Sequence, residues 1–361
     1  MKKFLAILLA AMLVLSMTAV AFADDATKTF NKVYNLGTNV DANTAFSPAE
    51  EFSFTKVAFV SASDTGVDYP AGWAGENDNL PTINSVTYSK GEAGGTNKTK
   101  AFTVTLPTYP SVGIFTYSFS EVNNNVAGVT YNDTAMYLVV TVEQGADGKT
   151  RVAAIHCEGM QEDGSFATGS NKMGEFVNTY SAGALNVTKT VSGNMGDKSK
   201  EFEITVTFKA PTGTKVMSDI TYNDHSTYDE ENKVYVPSTI VAGTEGWTEK
   251  SVKILVKDGE TVTFTNIPVG VTYEVVETDA AAQNQKDDDD NVIADSAEYK
   301  ATYANATGTI DVDGETASVT NTKNGEVDTG ITVDSLPYVL LMGIVLLAGA
   351  AMIIKRRAHN N

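Results

Sequence analysis

Phe202-Glu203-Ile204-Thr205-Val206-Thr207-Phe208 alternates apolar and polar residues without interruption. Successive side chains leave a strand on opposite faces, so this stretch predicts a strand with one face in a core and one in water. The same period recurs upstream in Phe102-Thr103-Val104-Thr105-Leu106 and downstream in Val262-Thr263-Phe264. Tyr137 to Val142 is a denser apolar run, as expected of a central strand. Asp147-Gly148, Asp258-Gly259 and Asp313-Gly314 punctuate the pattern as turns. Helical periodicity is confined to the two ends of the chain. The expected fold class is therefore all-β, with β-sandwiches as the architecture.

The ends have their own grammar. Lys2 and Lys3 precede an apolar run from Phe4 to about Val20, and Ala21-Phe22-Ala23 offers a small-x-small cleavage site. Residues 1–23 thus read as a secretory signal peptide. At the other end an uncharged run from Ser335 to Ile354 is followed by Lys355-Arg356-Arg357. At about 1.5 Å per residue such a run spans a bilayer as a helix, with the basic cluster held on the cytoplasmic side. The roughly 300 residues between are too many for one ordinary sandwich and fit two domains. The expected units are 24–182 and 183–324, with 325–361 as the C-terminal segment. Their boundary near Ser181-Ala182-Gly183-Ala184 is short and small, which predicts a stiff join.

Charge and cysteine usage exclude several classes. The chain carries −19, which becomes about −23 once Lys2, Lys3 and the net positive Asp334, Lys355, Arg356 and Arg357 are removed. So acidic a surface argues against nucleic acid as a partner. The single Cys157 cannot form an internal disulfide, and its neighbour His156 points to the opposite face of a strand. Cys157 therefore reads as a bystander rather than a nucleophile. Three histidines and no Ser-His-Asp or metal-ligand spacing give no support for an enzyme, a cofactor or a metal. Asp287-Asp288-Asp289-Asp290 lacks the spaced ligands of a calcium loop and reads as solvated.

Glu326-Val327-Asp328-Thr329-Gly330 stands just ahead of the apolar run. That order of motif, span and basic tail resembles the cell-wall sorting signal of Gram-positive surface proteins. There a sortase cysteine cuts between Thr and Gly and passes the Thr carboxyl to an amine. Glu326 and Val327 depart from the usual Leu-Pro but resemble the Glu-Val-Pro-Thr-Gly of a streptococcal backbone pilin, with Asp328 in place of that Pro. The resemblance implies a secreted, surface-anchored product whose precursor is transiently in the membrane.

The two halves repeat one constellation. Lys32 lies in phase with Phe30 and Tyr34, and Lys189 lies in phase with Val187 and Val191, so each lysine should point into a core. Glu121 continues the inward phase of Tyr117 and Phe119, and Glu277 that of Tyr273 and Val275. Each half closes on Asn-Thr, at Asn178 and Asn321. Lys and Glu are 89 residues apart in the first half and 88 in the second; Glu and Asn are 57 and 44 apart, a difference in loop length. Burying an ammonium or a carboxylate costs several kcal/mol unless it is paired. An ion pair is one explanation. A second uses all three residues, because burial favours a neutral amine and a neutral acid. A neutral amine is a nucleophile, and a protonated Glu can donate to the Asn carbonyl and relay protons as an amide forms and ammonia leaves.

These residues resemble the isopeptide-forming, immunoglobulin-like (CnaB-related) domains of Gram-positive backbone pilins of the group A streptococcal T-antigen type. The likeness is strongest in Leu185-Asn-Val-Thr-Lys189-Thr-Val-Ser-Gly193, in Pro268-Val-Gly-Val271 through Glu277, and in Thr320-Asn321-Thr-Lys323. It implies bonds Lys32–Asn178 and Lys189–Asn321, promoted by Glu121 and Glu277. Lys28 shares the strand phase of Lys32, and Lys32 is favoured. It further implies a structural subunit joined by a sortase to its own copies in a head-to-tail fibre, with accessory pilins and cell-wall peptidoglycan as further partners. In the family the acceptor amine is a Lys shortly before the last strand of the first domain. Lys172, in Ser170-Asn171-Lys172-Met173-Gly174, stands there one residue off the family spacing, in a composition that suggests an exposed loop, with Lys149 as a nearby alternative. A wall-anchored adhesin or accessory pilin that does not polymerise is the competing expectation.

Overall fold

A computed structural model of the chain describes residues 27–38, 40–63, 80–132, 135–159, 172–223, 228–231, 233–325 and 336–359. The expected signal peptide, residues 1–23, and the motif at 326–330 lie outside the described residues.

The first half contributes β1 (Thr27–Leu36), β2 (Glu50–Phe52), β3 (Ala58–Ser63), β4 (Thr82–Ile83), β5 (Val86–Tyr88) and β6 (Thr99–Thr105). It continues with β7 (Gly113–Phe119), β8 (Met136–Gln144), β9 (Thr150–Gly159), β10 (Lys172–Met173) and β11 (Glu175–Tyr180). Sheets ordered β11-β1-β6-β4 and β10-β9-β8-β7-β3 close over one core, and β2 and β5 form a ribbon beside them. Phe30, Phe102 and Phe176 of one sheet meet Phe115, Leu138 and Val140 of the other in that core. The dense run from Tyr137 is the central β8, flanked on both sides by strands.

The second half contributes β12 (Ala182–Ser192), β13 (Phe202–Lys209), β14 (Ile220–Tyr222), β15 (Tyr228–Asp229), β16 (Val234–Tyr235) and β17 (Ser238–Ile240). It continues with β18 (Glu249–Val256), β19 (Thr261–Pro268), β20 (Thr272–Glu277), β21 (Lys300–Ala304), β22 (Thr307–Thr309) and β23 (Glu315–Thr322). Its sheets run β17-β14-β19-β12-β23-β21 and β18-β13-β20-β22. In β13 every apolar residue of the alternating stretch is buried and every polar one between them is not. Gly259, at φ +78°, turns β18 into β19 in a left-handed conformation that a side chain would strain.

In each half the first strand pairs in parallel with the last, β1 with β11 and β12 with β23. Parallel neighbours carry the chain in at one end of the sandwich and out at the other. Ser181 alone separates β11 from β12. Its N–H donates to the Gly128 carbonyl and its own carbonyl accepts from Val269 N–H. Asn266, on β19 at φ +62°, adds four hydrogen bonds, three of them across this seam and one, to Asp219, within the second half. It accepts from Phe46 N–H and the Tyr180 hydroxyl at 3.0 Å each, and donates to the carbonyls of Phe46 and Asp219 at 3.0 and 2.7 Å.

A 24-residue helix, α1 (Leu336–His359), closes the chain. Among the described residues no helix is long and apolar enough to cross a membrane. The Asp287–Asp290 stretch is exposed, and Asp287 accepts from the N–H groups of Asp289 and Asn291.

Candidate cross-link sites

In the first half Lys32 is fully buried on β1, Asn178 is fully buried on β11, and Glu121 follows β7 in the opposite sheet. Register decides which residues meet. Lys32 pairs with Phe176, so Asn178 lies two residues further along the neighbouring strand and on the same inward face. The Lys32 Nζ donates to Glu121 Oε1 at 2.9 Å and also meets Asn178 Oδ1. Asn178 Nδ2 donates to the same Glu121 Oε1 at 2.8 Å and to the Thr130 carbonyl at 2.7 Å. Glu121 Oε2 accepts from Asn132 N–H at 3.0 Å, which fixes the carboxylate. One carboxylate oxygen therefore touches both the amine and the amide nitrogen. The sequence reading expected the Glu to face the Asn carbonyl; here that oxygen faces the lysine, because Thr130 holds the amide nitrogen on the other side.

In the second half Lys189 pairs with Val319, and Asn321 again lies two residues further on. The Lys189 Nζ is 2.6 Å from Glu277 Oε2 at the end of β20. All three side chains are buried. Asn321 differs from Asn178: among the described residues neither its Nδ2 nor its Oδ1 has a hydrogen-bond partner. Each such orphan costs about 1–3 kcal/mol.

Each lysine also lies over an aromatic ring that the sequence reading did not connect with it. The Nζ of Lys32 is 4.4 Å from the centroid of Phe52, and that of Lys189 is 4.4 Å from the centroid of Phe202. The rings belong to the strand that follows each lysine strand in the chain. Loss of hydration holds both amines below the ordinary lysine range, with Glu121 and Glu277 opposing the shift. Burial likewise raises the Glu277 carboxyl, partly offset by Lys189. The physical effect is to bring nucleophile and acid toward their neutral forms.

Lys28 shares the phase of Lys32 but lies ahead of the parallel pairing, which begins at Asn31, and is only half-buried. Lys172 is exposed, on the short edge strand β10 rather than in a loop, because its backbone pairs with Glu158 of β9. Lys149 is exposed in the turn between β8 and β9. Cys157 is fully buried, and burial pushes its thiol far above the usual range. Among the described residues no cluster of His, Cys, Asp and Glu could hold a metal.

Comparison with known proteins places these sites in context. A family model described as a Spy0128-like isopeptide containing domain matches residues 25–181. One described as a domain of unknown function matches residues 183–323. A curated pilin of Streptococcus pyogenes serotype M1 is 30% identical over 285 residues, covering 76% of this chain and 77% of that protein. In fold, the chain resembles the crystal structure of the major pilin from Streptococcus pyogenes. The TM-score is 0.50 at 24% identity, over 84% of this chain and 100% of that one.

Proposed function

This chain belongs to the family of Gram-positive major pilins, and we propose that it is a backbone subunit, joined to its copies by a sortase and braced by one Lys–Asn isopeptide bond in each half. The observation that carries the internal bonds is the repeated register. Two lysines on first strands stand two residues out of step with two asparagines on parallel last strands, each lysine touching a buried Glu.

The first site supplies the chemistry atom by atom. Lys32 Nζ attacks Asn178 Cγ as a neutral amine. The Glu121 oxygen touching both nitrogens takes a proton from Nζ and passes it to Nδ2. The Nζ–Cγ bond forms, the Cγ–Nδ2 bond breaks, and ammonia leaves. The same reaction at Lys189 and Asn321 removes the orphaned Nδ2 donor altogether. Glu277, with its raised carboxyl, serves there as Glu121 does in the first site. The reaction occurs once per site and acts on no outside substrate.

Parallel first and last strands, once bonded, carry tension through the cross-link instead of peeling strands apart. By the chain-entropy relation used for disulfides, closing a loop of this size stabilises by about 5 kcal/mol. Residues 24–182 and 183–324 act as the two cross-linked domains. Export by residues 1–23 and retention by the apolar segment before Lys355 deliver the precursor to the sortase. The enzyme cleaves Glu326-Val327-Asp328-Thr329-Gly330 after Thr329, and the Thr329 carboxyl passes to Lys172 of another copy. A head-to-tail contact of this kind does not close and generates a fibre. Accessory pilins and peptidoglycan complete the partners. The test is an intact mass of the secreted chain: two bonds lower it by about 34 Da, two ammonias at ~17 Da each. A full sequence mass removes the internal bonds from the proposal.

A further inference from the structure

Lys172 and Met173 of β10 pair antiparallel with Glu158 and Cys157 of β9. Cys157 and Met173 pack into the core, so Lys172 and Glu158 share the outer face. Directly opposed side chains on one face begin about 4.5–5.5 Å apart. His156 is two residues back on β9 and therefore on that same face. Its Nε2 is 2.6 Å from Glu158 Oε1. Glu158 is fully buried although it lies on the outer face, while Lys172 is exposed and the His156 side chain is 22% exposed. A buried carboxylate is costly and adds nothing to the core beneath it. Buried acid, half-buried imidazole and exposed amine thus lie on one face at the edge of the sheet, the acid and imidazole on β9 and the amine on the edge strand β10.

We propose that His156, positioned by Glu158, accepts the proton that the Lys172 amine must lose before it can join another subunit. This rests on the reading of Lys172 as the acceptor. Glu158 accepts the Nε2–H, which leaves the imidazole lone pair on Nδ1 to take a proton. The co-reactant is a cysteine thioester carrying the Thr329 carbonyl of a second copy. Lys172 arrives as an ammonium and gives one proton to His156. The freed lone pair attacks the thioester carbonyl, the C–N bond forms, and the C–S bond breaks. The surplus proton on nitrogen leaves with the thiolate as a thiol, and His156 returns its own proton to water. Without such a base an ordinary lysine is almost wholly protonated at neutral pH. Among the described residues the other titratable groups near this cluster are Tyr137 on β8, paired with Glu158, and Glu175, which follows Lys172 across Gly174.

The experiment uses the full-length chain purified in detergent, with its sortase. Subunit joining is measured relative to discharge of the acyl-enzyme by hydroxylamine, which reports the enzyme alone. His156→Gln is expected to slow joining about 100-fold at neutral pH. It should approach the wild-type rate near pH 10, where the amine sheds its proton unaided. Glu158→Gln is expected to slow it about 10-fold, with recovery in the same direction. Wild-type joining by His156→Gln at neutral pH overturns the inference. So does an equal deficit at both pH values, which marks damage to the strand rather than loss of a base. Lys172→Arg separates the two levels. Joining that persists in Lys172→Arg overturns the acceptor reading itself. Joining abolished there but unchanged in His156→Gln overturns only the role of His156.

Discussion

The two cross-link sites share a register and differ in how they hold the amide. Asn178 is satisfied on every side, by Lys32, Glu121 and Thr130. Asn321 has the same offset from its lysine and the same burial, but no hydrogen-bond partner among the described residues. The strand framework therefore suffices to bring lysine and asparagine together, and the amide's own hydrogen bonds are a local addition. The first site resembles a reactant complex. At the second, an unreacted Asn321 would leave two buried polar atoms unpaired, so bond formation should there be more strongly favoured.

The sharpest way to break this comparison is to remove each acid in turn. Glu277→Ala is expected to block only the Lys189–Asn321 bond, and Glu121→Ala only the Lys32–Asn178 bond. Each variant should recover about 17 Da and lose about 5 kcal/mol, or roughly 15 °C in the melting temperature of its own half. Mass spectrometry with peptide mapping checks this. A Lys189–Asn321 linkage still present in Glu277→Ala removes Glu277 from its role.

A smaller effect is expected at the seam between the halves. Asn266→Gly keeps a residue tolerant of φ +62° but deletes four hydrogen bonds. The cost should be about 2 kcal/mol, and calorimetry should show the two halves melting more independently than in the parent. A single unchanged transition would show that the remaining contacts, the Ser181 backbone bonds, the pairing of Lys215 with Asn125 and Ala127 and the Lys90–Asp219 ion pair, suffice to couple them.

The aromatic floors test whether the sites are equivalent. Phe52→Leu and Phe202→Leu should each cost about 1 kcal/mol, within the range of hydrophobic exchanges that nearly conserve volume. Each should also slow its own bond by admitting water to the amine and restoring its charge. The matched 4.4 Å distances call for equal delays, measured as the mass deficit against time after refolding.

The smallest contrast is in alkali. Burial raises the phenols of Tyr34, Tyr88, Tyr109, Tyr117, Tyr131 and Tyr180 in the first half, Tyr88 and Tyr117 to about 12. In the second half Tyr273 and Tyr303 are raised. A raised phenol keeps its proton in the folded state after the unfolded chain has lost it. The stability it contributes is present below the unfolded value near 10 and is lost as pH rises above that. The first half should therefore weaken sooner between about pH 10 and 12. Pulse proteolysis of the two halves checks the order.

Much of this was legible because strand periodicity is local. The alternation of 202–208 became β13, and the inward phase of Lys32, Lys189, Glu121 and Glu277 became burial. Lys172 was misread as a loop residue because its small polar neighbours say nothing of the β9 backbone that pairs with it. Phe52 passed unnoticed and Phe202 was read only as a core residue of its strand, since an apolar residue in phase looks alike whether it packs on leucine or on an amine. Asn266 was hidden by distance, its contact with Phe46 spanning 220 residues.

By itself the sequence determined the all-β class, the family and the three residue types repeated in each half, because a period of two and a recurring motif are properties of short stretches. Tertiary structure alone decided the parallel pairing of first and last strands and the two-residue offset that sets each lysine beside an asparagine. It also decided that one amide is held on all sides while its counterpart has no partner among the described residues. The reason is that pairing partners lie more than a hundred residues apart, and only the closing of a sandwich brings such strands within reach of one another.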